Sequence, residues 1–213
     1  MDGLGPPPLL RLPRSPLADP HLSRVASWIL LGSALSLLLY AGSNLVYTAN
    51  RQGELANAWD RSHPQAGPGA LSPAAVTFAR PRLADGQPLA RIRVPSIGFS
   101  AIVLEGTDGR ILAGGPGHLD GSAYPGEPDN VVISNREAFS ESWSNLRTGQ
   151  DIVMETDYGT FTYRVTGLKI VSPDDKKITA PSGRPTLTFL VSYPLWAGSL
   201  APQRYAVLAE LGR

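Results

Sequence analysis

The 213-residue sequence contains no cysteine. Disulfides, thiolate nucleophiles and thiolate-based metal sites are excluded together. An excess of either charge is also lacking. The formal net charge is +1, which implies no strongly charged partner and in particular no nucleic acid. Lysine occurs only at positions 169, 176 and 177. The remaining cations are arginines, and with abundant Ala, Gly and Pro they point to a high-GC bacterial coding sequence. Phosphate-loop chemistry is missing as well, because the run Gly114-Gly115-Pro116-Gly117-His118 lacks the Gly-Lys-Ser/Thr ending. Asp174, Asp175 and Glu155 follow no calcium-loop spacing. No cofactor or metal is expected.

What is present is first an uncharged stretch. Residues 25–47, VASWILLGSALSLLLYAGSNLVY, lie between Arg24 and Arg51. As a helix they span roughly 34 Å, enough for a hydrocarbon core of roughly 30 Å. Trp28 and Tyr47 stand near the ends, where interfacial aromatics belong. The alternative is a cleaved leader. It is disfavoured by the length of the run and by the poor cleavage site at Tyr47-Thr48-Ala49. Arg11, Arg14 and Arg24 precede the run. Arg51 and Arg61 follow it, offset by Glu54 and Asp60, so the N-terminus is expected in the cytoplasm and the C-terminal part on the extracytoplasmic side of a bacterial inner membrane. Gly32, Ser33, Ala34, Ser36, Gly42 and Ser43 are small enough for another membrane helix to approach closely.

The flanks differ. Residues 1–24 hold three consecutive prolines and others at 13, 16 and 20, which disfavours a helix. They read either as a solvated arm or as an arm lying on a partner through Leu4, Leu9, Leu10, Leu12 and Leu17. Residues 48–60 continue the helix, and the Pro/Gly/Ala-rich residues up to 87 form a stalk. His63 sits in that stalk and reads as solvated. Residues 88–213 form one globular domain. Strands are predicted over 89–94, 102–104, 130–133, 151–155, 160–171, 186–191 and 205–211, with a short helix over 141–146. Many short strands at this spacing argue a closed or nearly closed β-barrel.

The chemically informative stretch is 186–205, TLTFLVSYPLWAGSLAPQRY. A small polar residue, Ser192, ends an apolar strand, and Arg204 opens the next. This segment resembles the catalytic strand–loop–strand of sortases, especially the class D-like group, with its pattern T-L-T-x-x-T-C-Y-P-F, a loop, then A-P-x-R-Y. The family's nucleophilic Cys falls at Ser192, its preceding Thr at Val191, and its Arg at Arg204. A second sortase motif, N-V-V-I-A-G-H-R-D-x-F, is matched by Asn130-Val131-Val132-Ile133-Ser134-Asn135-Arg136-Glu137-Ala138-Phe139. Aligned on its final Phe, the run is one residue short and the histidine position falls on Asn135. The run ending in His118 also looks like a G-x-G-H that sortases often carry.

The resemblance implies a mostly β protein: a sortase-like closed β-barrel with short helices, preceded by a single transmembrane helix. It also implies cleavage of a sorting-signal peptide by thiolate attack, with a histidine protonating the leaving amine and an arginine stabilising the oxyanion. A serine hydroxyl needs a base, and an asparagine amide cannot shuttle a proton. The sequence is therefore expected to encode an inactive sortase homologue, serving as an accessory or structural subunit of a larger membrane complex. Its expected partners are other membrane protein subunits, membrane lipid and a peptide segment. Two alternatives stand beside this. One is a peptide-binding module using Arg204 with the lip Tyr193, Leu195 and Trp196. The other is a serine-dependent transpeptidase or hydrolase in which His118, the only histidine of the domain, substitutes as base for Ser192. Arg204 itself reads either as an anion binder or as a structural residue paired with a carboxylate.

Overall fold

The computed structural model describes residues 20–63, 81–136 and 141–212. The arm over 1–19, the stalk over 64–80, and Ala138 and Phe139 of the second motif lie outside the described residues.

Helix α1 runs Pro20–Ser62. Proline at its start is compatible with a helix, because a first-turn residue has no intrahelical partner for its N–H. The helix is long and apolar enough to cross a membrane. Its part up to Ser43 forms a compact unit of its own. There the serine hydroxyls turn inward on the helix. Ser27, Ser33 and Ser36 each donate to the carbonyl four residues back, at 2.8, 2.9 and 2.9 Å. A hydroxyl satisfied by its own helix needs no water, which suits an apolar surround.

The second unit, Asn44–Arg213, is a closed barrel of eight strands in the order β1-β2-β3-β4-β7-β8-β6-β5. The strands are β1 Pro88–Val94, β2 Phe99–Glu105, β3 Gly117–His118, β4 Asn130–Asn135, β5 Asp151–Thr156, β6 Gly159–Val171, β7 Thr186–Tyr193 and β8 Gln203–Leu211. Two pairings are parallel, β2 with β3 and β4 with β7; the rest are antiparallel. The closed barrel meets the expectation from strand spacing. Alternating positions such as Val131/Ile133, Ile152/Met154 and Leu187/Phe189/Val191 point inward. Trp143, from the turn Glu141–Asn145, stacks on Phe189 with ring centroids 4.4 Å apart.

Strand β2 is buried along its last five residues, which alternation alone does not require. The second half of α1 supplies the cover. Leu55 and Trp59 pack on Ile102, Leu104 and Ile111. Gln52 behaves like an added strand partner: its Nε2 donates to Gly114 O at 2.7 Å and Ile102 O at 3.2 Å, and its Oε1 accepts from Ile102 N at 2.8 Å. Asp60 pairs with Arg91 at 2.7 Å. These contacts explain the glycine run 114–117. A Cβ on Gly115 would stand 2.0 Å from the Gln52 amide nitrogen, and one on Gly117 would stand 2.2 Å from Gly106 O. The glycines serve close packing.

Two short helices complete the domain. Helix α2, Gly109–Gly114, is capped by Asp108, and α3, Lys176–Thr179, by Asp175. Helix α3 lies in the connection from β6 to β7, over the outer face of β7. Thr188 Oγ1 donates to Ile178 O at 3.3 Å there.

Candidate functional site

Strands β4, β7 and β8 lie side by side, and their pleats decide which side chains meet. Asn135 ends β4 in register with Val191 of β7. Val131, Ile133, Leu187, Phe189 and Val191 all belong to the barrel core. Asn135 shares their face, points inward and is fully buried. Ser192 is the next residue along β7, so it points to the opposite face, where it is register-paired with Arg204 of β8. Continuing the alternation one residue past β4 brings Arg136 to that same outer face. The electrostatics agree: burial, and then the positive charge of Arg136, hold the Arg204 pKa below the ordinary arginine value.

The structure thus turns Asn135 into the barrel, while the alternation sets Arg136 on the face of Ser192 and Arg204. Read without a gap, the seventh position of N-V-V-I-A-G-H is Arg136. Aligning on Phe139 concealed this. The inward pattern of Val131, Ile133 and Asn135 was the signal that could have found it.

Ser192 is 1% exposed, and its Oγ has no hydrogen-bond partner among the described residues. Arg204 is half-buried, and its Nη1 donates to Ala201 O at 3.1 Å and Gln203 O at 2.9 Å. Among the described residues no carboxylate pairs with Arg204, so its structural ion-pair reading finds no support there. Beside it opens a cavity of about 210 Å³. Val171, Ile178 and Leu190 give it apolar walls, and Asp174, Asp175 and Lys176 a polar edge.

The remaining candidates lie elsewhere. His118 is not brought to Ser192. Its Nδ1 faces both carboxyl oxygens of Glu105 at 3.1 Å, and its Nε2 lies 2.9 Å from Ala123 O and 2.9 Å from Ser122 Oγ. The β2–β3 register sets Glu105 directly beside it, so the substitute base is occupied as a buried structural residue. His63 is not simply solvated either. It stacks on Trp59 at 4.0 Å and contacts Asp157 in the β5–β6 turn. Of the lip, Leu195 packs against the core, Tyr193 is half-buried, and Trp196 projects at 64% exposure.

The sortase-domain family model matches residues 92–212. The chain belongs to the sortase family. Sortase D of Bacillus subtilis (strain 168) is 32% identical over 127 residues, covering 59% of this chain and 64% of that protein. The match therefore spans just under two thirds of that relative. Among solved structures, a Clostridium perfringens sortase D5 transpeptidase superposes with a TM-score of 0.56 at 25% identity, covering 62% of this chain and 83% of that one. Sortase E from Streptomyces avermitilis gives 0.53 at 26% identity, with 62% and 91% covered. These relatives overturn the expectation of an inactive homologue. The family is one of enzymes, one relative is described as a transpeptidase, and nothing in the sortase fold seen here shows inactivity.

Proposed function

We propose that this sortase is a membrane-anchored, serine-dependent transpeptidase or hydrolase whose barrel works on the extracytoplasmic side of a bacterial inner membrane. The observation that supports it is the register pairing of Ser192 with an arginine that no described carboxylate neutralises. Ser192 Oγ attacks a peptide carbonyl and Arg204 stabilises the oxyanion. The Oγ–carbonyl bond forms, the peptide C–N bond breaks, and the hydroxyl proton ends on the departing amine. Water or a second amine then opens the ester and returns a proton to Oγ. No described side chain acts as base to Ser192, so turnover is slower by roughly the 10²–10⁴-fold that a positioned acid–base group contributes. In this reading α1 holds the barrel beside other membrane protein subunits, which present the peptide.

The test is intact-mass analysis of the full chain in lipid nanodiscs after incubation with a peptide pool. An acyl adduct on Ser192 is expected, absent from Ser192→Ala and discharged by added amine. A native protein that never acquires an adduct sinks the proposal.

A further inference from the structure

The arginines of the barrel fall into two sets. Arg91, Arg93, Arg110, Arg164 and Arg184 each pair with a carboxylate. Arg136, Arg147 and Arg204 pair with none among the described residues. Arg147 instead donates to the carbonyls of Ser144 and Leu146, while Arg136 follows Asn135 onto the outer face where Ser192 and Arg204 are paired, and its charge is felt at Arg204. Two guanidiniums brought together without a counter-charge repel, and the arrangement is relieved when an anion enters between them. Next to them, Ser192 Oγ is a buried hydroxyl with no partner among the described residues, and a buried polar group left alone is costly unless a ligand completes it. A fixed fork of N–H donors on each arginine matches the oxygen pair of a carboxylate. The adjoining cavity, walled by Val171, Ile178 and Leu190, has room for a neighbouring apolar side chain.

We infer that Ser192, Arg136 and Arg204 form an anion site, and that the peptide taken by this sortase carries an acidic side chain beside the bond to be cleaved. The inference rests on the reading of this mouth as the peptide site. Arg136 is the specificity-determining residue, because it supplies the second positive charge.

The test pans a random octapeptide library, with amidated C-termini so that side chains supply the only carboxylates, against the full chain in nanodiscs. The native chain is used, and intact mass separates any covalent adduct on Ser192 from reversible capture. Asp or Glu is expected at one position about threefold or more over Asn or Gln. The enrichment should fall in Arg136→Gln and in about 0.5 M salt, where exposed charges are screened beyond a few ångströms. Equal recovery of acidic and amide residues, or no recovery at all, overturns the inference. So does a site that inorganic phosphate occupies while acidic peptides do not. The two proposals fail separately. Acylation of Ser192 by neutral peptides keeps the serine mechanism and removes the acidic substrate. Acidic enrichment without any adduct on the native chain does the reverse.

Discussion

A guanidinium carries donors and no acceptor, so Arg136 can bind an anion but cannot serve as a general base. This sets what each substitution at the mouth should do. Ser192→Cys replaces a hydroxyl by a thiol whose anion two arginines would favour, and should raise acylation modestly. Adding Arg136→His supplies a titrating group on the face shared with Ser192, and the double variant should gain about 10²-fold or more over Ser192→Cys alone. Asn135→His in the same background is the control. Its side chain points into the core, so it should give no such gain and should lower stability. Cleavage of a peptide recovered by panning, followed by fluorescence, reads all three, and a faster Asn135→His variant would refute the outward placement of Arg136. At this scale the sequence was half legible. Ser192 and Arg204 stood out because a strand end and a strand start flanked a short loop. Arg136 did not, because a motif aligned on a distant Phe hides which face each residue takes. The inward face of Asn135, from which that of Arg136 follows, is set by register with β7, a contact between residues more than fifty positions apart.

At the scale of elements, the second half of α1 is part of the barrel wall. Trp59 is 6% exposed on the Ile102/Leu104/Ile111 surface, and Trp59→Ala should cost about 3 kcal/mol, a typical value for deleting a buried aromatic side chain. Gln52→Ala leaves the backbone of Ile102 and Gly114 short of three hydrogen bonds and should cost about 1–3 kcal/mol. A chain beginning at Asn44 should then unfold in urea with the midpoint of the full chain in detergent, while one beginning after His63 should lose several kcal/mol and bind a dye for exposed apolar surface. Equal midpoints for the two truncations would show that the helix adds nothing. Strand β5 was readable from alternation, because it buries one face, and β7 as an apolar run, because it is covered on both. The cover on β2 was not, since Ile102 and Leu104 gave only a short apolar run and their partners lie some fifty residues upstream. The two-residue strand β3 was also missed, because its glycine answers to packing against Gly106 and not to strand propensity.

For the whole molecule, closing the barrel buries tyrosines that an unfolded chain would expose. Tyr163 is fully buried and its hydroxyl oxygen accepts from Gly126 N at 2.8 Å. Burial, with a smaller contribution from Glu127, pushes its pKa up to about 12. Tyr158, in the neighbouring turn, is raised further by burial and by Tyr163, and Tyr205 is raised by burial. In the unfolded chain these groups ionise near pH 10. Each folded pKa lies above its unfolded value, so the unfolded chain releases protons first as pH rises. The associated stability is complete below about pH 10 and drains away as pH climbs towards the folded values. The urea midpoint of the chain beginning at Asn44 should therefore hold steady from pH 8 to about 9.5 and fall steeply by about pH 11.5. Tyr163→Phe should start from a lower midpoint, having lost the acceptor for Gly126 N, but should fall less steeply because one of the coupled groups is gone. A wild-type midpoint flat through pH 11.5 would mean that these hydroxyls reach water in the folded state, and with it that the hairpin end of the barrel opens without unfolding.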